Sequence, residues 1–90
     1  MVVCTFYKFV RLEELPELQA RLHRVGETLG LRGTVLIAAE GINGTLTGSR
    51  DSLKSFVREL NQHPAFKDLP VKYSTAAADN EVFHRLKIRI

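Results

Sequence analysis

The sequence predicts an α+β domain in which two helices cover one face of an antiparallel β-sheet. Two patterns lead to this fold class. Strand-like runs rich in β-branched and aromatic residues alternate with two segments that each have a single apolar helical stripe. The chain has 90 residues, of which 44% are hydrophobic and 26% charged, as is ordinary for a globular domain. A chain of this length supports one sheet packed on one or two helices.

The first third of the chain predicts a strand followed by a helix. Residues 2–10 are rich in β-branched and aromatic types, which is typical of a strand. The helix that follows has Pro16 in its first turn, where the missing N–H costs nothing, and Gly30 at its end. Gly26 is an expected weak point inside this helix. Its apolar stripe consists of Leu15, Leu18, Leu22, Val25 and Leu29.

The middle of the chain predicts two strands, a tight turn and a second helix. The run TVLIAA at 34–39 is typical of a buried strand, and GTLT at 44–47 is a second, short strand. Between them, 40–44 supplies two glycines and an asparagine for the turn. Ser49 is the predicted N-cap of a helix that extends to about Asn61. Its stripe consists of Leu53, Phe56, Val57 and Leu60.

Two final strands complete the pattern. VKYST at 71–75 and FHRLKIRI at 83–90 flank the polar stretch AAADNE. The order is therefore βαββαβ with an extra C-terminal strand, a ferredoxin-like arrangement in its acylphosphatase-like variant. Because the chain stops inside a strand pattern, we expect 1–90 to be a single acylphosphatase-like domain and a fragment of a longer protein.

The terminal strand accounts for the whole net charge of the chain. The formal net charge is +3, and 13 basic residues minus Arg85, Lys87 and Arg89 leave 10, which balance the 10 acidic residues. We refer to these three as the basic triad. They alternate with apolar residues, which predicts a strand with one buried and one exposed face. Such a ridge suggests an anionic partner, and the alternative is an edge strand protected by its charges.

Cysteine and histidine usage predicts neither a disulfide nor a metal centre. Cys4 is the single cysteine, which excludes an internal disulfide and favours a cytoplasmic protein. It lies in a strand-like apolar run, so we expect a buried, unreactive thiol. The three histidines are scattered and match no metal-ligand spacing. No apolar run approaches the roughly 20 residues of a membrane span.

Two functions found on such folds lack the residues that they need. An acylphosphatase would cradle an anion after the first strand, where this chain has Arg11, no glycine and three following glutamates. An RNA-recognition motif would have aromatic residues on two central strands. The first strand offers Phe6, Tyr7 and Phe9, but the third offers none. We therefore expect Phe6 and one of its aromatic neighbours to be core residues.

The glycine-rich turn is a second candidate for contacts. It lacks a P-loop lysine and its glycines do not open a helix, so a structural hairpin is the first interpretation. Glu40 is the exception, because a carboxylate held in a glycine-flanked turn can meet a cation, an arginine or a base edge. Glu40 and Asn43 are therefore the turn residues predicted to make contacts.

Three segments together resemble one known family. FYKFV at 6–10, AAEGINGTLTG at 38–48 and FHRLKIRI at 83–90 are similar to the N-terminal domain of the rhodanese-related tRNA uridine hydroxylases. The resemblance implies an acylphosphatase-like domain that precedes a rhodanese domain bearing the active-site cysteine. It also implies a parent enzyme that hydroxylates the wobble uridine of tRNA in an oxygen-dependent reaction. Nothing in this chain corresponds to the cysteine loop, and Cys4 does not take that role.

Three functional hypotheses follow. The first is a non-catalytic domain that helps to bind or position tRNA, with a rhodanese domain as its partner in cis and no membrane contact. The second is a structural module that docks on and stabilises the rhodanese domain, and the third is an independent small enzyme or regulatory ligand-binding domain. No catalytic, cofactor-binding or metal-binding residue is predicted, and the parent's cofactor is left open. The predicted RNA or interdomain contacts are Arg85, Lys87, Arg89, Glu40 and Asn43.

Overall fold

Over residues 1–75 and 85–90, which the computed structural model describes, the chain forms five strands and two α-helices. A short 3₁₀ turn at Pro64–Phe66 follows the second helix. The predicted order of elements is confirmed, and residues 83 and 84 of the predicted last strand lie outside the described residues. The elements are β1 Val2–Phe9, α1 Leu15–Thr28, β2 Arg32–Ala38, β3 Gly41–Gly48, α2 Arg50–Asn61, β4 Val71–Thr75 and β5 Leu86–Arg89.

The strands form one mixed sheet in the order β4-β1-β3-β2-β5. β1 pairs antiparallel with β3 and β4, and β2 pairs antiparallel with β3, but β5 pairs parallel with β2. The prediction of a wholly antiparallel sheet is therefore wrong at the β5 edge. The reason is directional: β4 and β2 run in opposite senses, so β5 starts at the end of the sheet where β4 stops and runs alongside β2.

Both helices pack on the same face of the sheet, as predicted, because their inward side chains share one core with alternate strand residues. Four of the nine predicted stripe residues lie at the margin of this core and are only partly buried, namely Leu15, Val25, Leu29 and Val57. The centre of the core consists of Cys4, Phe6, Val35, Ile37, Ile42, Leu46, Leu86 and Ile88 from the sheet and Leu18, Leu22, Leu53, Phe56 and Leu60 from the helices. Neither described α-helix has the length and apolar character needed to cross a membrane.

The helix ends follow local signals with one exception. The Ser49 side chain accepts a hydrogen bond from the Ser52 backbone N–H at 3.1 Å, so the predicted N-cap of α2 is confirmed. Gly30 has a φ of 72°, the left-handed conformation predicted for the end of α1. The exception is the start of α1, where Glu14 is left-handed with a φ of 55° and makes no side-chain cap.

Gly26 has a packing role that the sequence did not reveal. It is buried in α1, and a Cβ there would lie 2.5 Å from Cδ2 of Leu86. The missing side chain therefore lets α1 approach β5 closely. Gly26 is not simply a weak point of the helix, because it sets the distance between the helix and the strand that contains most of the basic triad.

The β2–β3 hairpin differs from its prediction in two respects. β3 begins at Gly41, so the turn contains only Ala39 and Glu40, and Asn43 lies within a strand. Pairing with β1 over the full length of β3 extends the strand through its glycines. β2 is not buried on both sides, because only one face of the sheet is covered by helices. Val35 is fully buried, whereas Leu36 is 49% exposed.

Candidate functional site

The sheet surface opposite the helices, here called the open face, carries two members of the basic triad. Leu86 and Ile88 of β5 are buried in the core, so Lys87 and Arg89 project from the other side. Arg85, which precedes β5, is also exposed. Among the described residues, no carboxylate forms an ion pair with any of the three. The predicted exposure of the triad is confirmed, and its contact with a partner stays a prediction.

Two aromatic side chains on the open face were missed by the sequence interpretation. Phe6 is buried as expected, but Tyr7 is 64% exposed and Phe9 is 85% exposed, so neither neighbour is a core residue. Their rings lie edge to face, with centroids 6.0 Å apart. The period-two alternation could have revealed this, because a strand that buries Cys4 and Phe6 must turn Tyr7 and Phe9 outward.

The strand register places one of these aromatic residues in line with the basic triad. Tyr7 pairs with Asn43, Asn43 pairs with Leu36, and Leu36 pairs with Arg89, so the four residues form one row across four strands. Side chains paired in this way lie on the same face. At about 4.8 Å between neighbouring strands, the row extends for about 14 Å.

A second row ends in a lysine at each edge of the sheet. Lys72 of β4 pairs with Thr5, and the row continues through Thr45 and Thr34 to Lys87 of β5. All five strands contribute, so the two lysine backbones are about 19 Å apart at the usual strand spacing. The open face therefore has positive charge at both edges and aromatic and polar side chains between them.

Two shallow clefts lie side by side on the open face and share Tyr7 and Asn43. One, of about 410 Å³, extends towards Lys72 at the β4 edge. The other, of about 260 Å³, is lined by Phe9, Leu36, Ala38 and Glu40, among others. Glu40 and Asn43 thus line the same cleft as Tyr7 and Phe9, and their predicted contact with RNA or another domain stays a prediction. No member of the basic triad lines either cleft, although Arg89 lies next to Leu36 in the register.

The loop after β1 does not present its amides as an anion cradle. The Val10 N–H donates to the Glu40 carbonyl oxygen at 2.9 Å, and the Leu12 N–H donates to the Ala39 carbonyl oxygen at 3.0 Å. Arg11 is exposed and lies 3.8 Å from a Glu13 carboxylate oxygen. The two backbone hydrogen bonds connect the loop to the β2–β3 turn. Two N–H groups of the loop are therefore not available to an anion, and the Glu40 backbone is held in place.

The whole chain, residues 1–90, matches the family described as the UPF0176 acylphosphatase like domain. The chain belongs to this family. This membership agrees with the resemblance read from the three sequence segments, since curated relatives of this chain are named tRNA uridine(34) hydroxylase.

Two of these relatives show how much of the longer proteins the UPF0176 domain represents. The tRNA uridine(34) hydroxylase of Synechococcus elongatus is 39% identical over 90 residues, which is 100% of this chain and 33% of that protein. The tRNA uridine(34) hydroxylase of Bartonella bacilliformis is 39% identical over 88 residues, which is 98% of this chain and 28% of that protein. The chain thus spans about a third of the length of the curated relatives that it matches.

Solved structures similar to this UPF0176 domain include two acylphosphatases. The Bacillus subtilis acylphosphatase has a TM-score of 0.77 and 20% identity, and 98% of each chain is covered. The Coxiella burnetii acylphosphatase has a TM-score of 0.67 and 16% identity, with 98% of this chain and 93% of that chain covered. At these identities the likeness establishes the acylphosphatase-like fold and nothing about activity.

Cys4 of the UPF0176 domain is a core residue. It is 1% exposed, and burial raises the pKa of its thiol from 9.0 to about 11. A thiol that stays protonated at neutral pH is a poor nucleophile. Among the described residues, no group of His, Cys, Asp or Glu side chains is placed to hold a metal ion.

The raised pKa of Cys4 predicts a loss of stability at high pH. Because the folded state holds the thiol proton more tightly than the unfolded state does, this contribution is complete below pH 9.0 and is lost as the pH rises through about 11. Urea unfolding across this range should show a steeper fall in the free energy of unfolding for the native chain than for Cys4→Ala. Parallel curves would show that Cys4 does not titrate in this way.

Proposed function

We propose that this UPF0176 domain helps to bind or position tRNA for a tRNA uridine hydroxylase and does not itself contain the catalytic residues. The observation that carries the proposal is the open face, where Lys72 stands at one edge of the sheet and Lys87 and Arg89 stand at the other. Phosphate contacts by lysine and arginine supply most of the sequence-independent affinity for nucleic acid.

The relatives support the choice of tRNA as the anionic partner. Their printed name is tRNA uridine(34) hydroxylase, and this chain matches about a third of their length. We therefore assign the hydroxylation chemistry to a further domain in cis, which we propose to be rhodanese-like from the sequence resemblance. The cytoplasmic location favoured by the single cysteine fits a role in tRNA modification.

Charge distribution favours the open face over the helical side as the RNA-binding surface. α1 holds two basic and two acidic residues and α2 holds three basic and two acidic ones, so the helices together have a net charge of only +1. They are also joined by an ion pair between Arg21 and Glu59 at 3.2 Å. A cation already paired with a carboxylate gains less from a phosphate than an unpaired one.

A second candidate function is docking onto the further domain. The exposed apolar residues Phe9 and Leu36 favour it, since large exposed apolar groups gathered on one face often mark a protein contact. In that case the basic triad would meet acidic residues of the partner domain, and RNA would not compete for it.

Neutralising the basic triad should separate the two functions. We expect the basic triad to contribute at most about 3 to the log–log slope with which tRNA affinity falls as salt rises, since three phosphate contacts release about three counterions. Replacing Arg85, Lys87 and Arg89 by Gln should weaken tRNA binding and flatten this slope, because their charges are exposed and the fold does not depend on them. The measurement is tRNA affinity at several salt concentrations, by fluorescence anisotropy.

The control removes three exposed cations from the helical side instead, by changing Arg24, Lys54 and Arg58 to Gln. The net charge falls by the same amount, so a general electrostatic effect would weaken both variants equally. Equal affinities and slopes for the native chain and the triad variant would refute the RNA contact. If the triad variant instead lost its association with the rest of the enzyme, the docking function would stand.

A further inference from the structure

Resting on the proposed function, we propose that the open face binds unpaired RNA nucleotides by stacking their bases on Tyr7 and Phe9. Stacking of bases on exposed aromatic rings is the main sequence-tolerant contact that proteins make with single-stranded RNA. The ligand would then be an RNA loop or single strand with unpaired bases, and not any RNA that presents phosphates.

The two rings are available for this role because the fold does not use them. They project from the open face on either side of Lys8 in β1, and they contact one another edge to face. Burial of Phe6 and Cys4 already anchors β1 to the core. Two large aromatic residues left outside a small domain expose apolar surface that a ligand can cover.

The positive charges of the open face lie where the phosphates of a single RNA strand crossing the sheet would need them. Lys72 stands at the β4 edge, next to β1 and its aromatic residues, and Lys87 and Arg89 stand at the β5 edge. A strand whose bases stack near β1 would therefore keep its phosphates within reach of a cation on either side. The spacing across the sheet, about 14 Å along the row from Tyr7 to Arg89, covers more than one nucleotide.

Asn43 is placed to contact the edge of a stacked base. It lies beside Tyr7 in the register and lines both clefts, and its side chain makes no hydrogen bond to a described residue. Its amide offers two donors and one acceptor oxygen, and the Glu40 carboxylate at the end of the smaller cleft offers acceptors only. Together they supply polar contacts that a stacking surface lacks.

A regular RNA duplex does not fit this arrangement. Its bases are stacked on one another and present only their edges, so the rings of Tyr7 and Phe9 would have no base faces to cover. The stacking surface therefore predicts a preference for single-stranded over duplex RNA, whereas the basic triad alone predicts none.

The test compares affinity for a short oligouridylate between the native chain and the double variant Tyr7→Leu/Phe9→Leu. Leucine keeps apolar area on the strand but cannot stack, so we expect the affinity to fall about 10-fold or more, given the usual loss of about 5- to 150-fold for each stacked base. The salt slope, about 2 for three contacts on a single strand, should stay unchanged. Tyr7→Phe, which keeps the ring, should bind like the native chain.

The two sets of variants distinguish base stacking on Tyr7 and Phe9 from phosphate contact by the basic triad. If the leucine variant binds oligouridylate as tightly as the native chain while the triad variant is weakened, stacking is refuted and the phosphate contact stands. If neither variant is weakened, both proposals fail. A native-chain NMR titration guards against misfolding of the leucine variant. Ring protons of Tyr7 and Phe9 should shift upfield on binding, and rings that do not respond would overturn the inference.

Discussion

Replacing Gly33 by alanine should destabilise the domain by at least about 3 kcal/mol, since a strained φ and a backbone clash act together. Gly33 has a φ of 126°, and a Cβ there would lie 2.2 Å from the Thr45 carbonyl oxygen and 2.9 Å from the Leu46 Cα. Both of these are backbone atoms, so no side chain can rotate out of the way. β2 and β3 would have to separate, which would show as a lower urea midpoint.

The effect of Gly33→Ala should reach the basic triad. The Gly33 N–H donates to the Arg85 carbonyl oxygen at 3.1 Å, so a shift of β2 would disturb the start of β5. Gly30→Ala is the matched control, because Gly30 also has a positive φ, of 72°, but nothing lies within 4 Å of its added Cβ. The free energy of unfolding of that variant should fall by only about 1 to 2 kcal/mol. Equal losses at the two glycines would contradict the clash at Gly33.

Replacing Phe66 by alanine should lower the free energy of unfolding by about 3 to 5 kcal/mol, the usual range for a buried phenylalanine. Phe66 is fully buried in the 3₁₀ turn after α2, and the His63 ring lies against it with centroids 4.9 Å apart. The Asn61 side-chain amide also donates to the Phe66 carbonyl oxygen at 2.8 Å. Losing the ring would open a cavity and loosen the connection between α2 and β4. Urea unfolding measures the loss.

Phe9→Ala is the control, because it makes the same chemical change at a ring that is 85% exposed. We expect it to lower the free energy of unfolding by less than about 1 kcal/mol. A comparable loss at Phe9 would mean that its ring is structural, which would also weaken the case for base stacking.

The local elements could be predicted from the sequence because their signals are local. Ser49 caps α2, its apolar stripe continues to Leu60 and the helix ends at Asn61, so the predicted and observed helices coincide. Gly30 ends α1 for a similar reason, since only its own left-handed conformation is needed. The alternation around the basic triad likewise fixed which side of β5 is exposed.

The features that were predicted wrongly depend on contacts between distant parts of the chain. Whether β5 lies parallel to β2 depends on where the chain crosses the sheet, and no residue in β5 encodes it. Asn43 was assigned to a turn because its pairing with β1 is invisible within the hairpin alone. Core residues outside regular stripes, such as Leu12 and Phe66, were missed because periodicity does not extend into loops.

The exposure of Tyr7 and Phe9 could have been predicted, since the alternation that exposes them is present in the sequence. An RNA-recognition motif requires aromatic residues on two strands, and because the third strand has none, one of the two was predicted to be a core residue beside Phe6. Only the structure places Tyr7 beside Asn43 and in line with Arg89, with the Phe9 ring in contact with Tyr7 on the same face.

The most direct test of RNA binding by the open face is an amide NMR titration of this chain with unmodified tRNA, because it locates the contact without any substitution. If the open face binds RNA, the signals of β1, β3, β2 and β5 should shift, with the largest changes around Tyr7, Asn43 and Arg89, while those of α1 and α2 should stay in place. Shifts confined to the helices, or no shifts at low salt, would contradict an RNA-binding role for the open face.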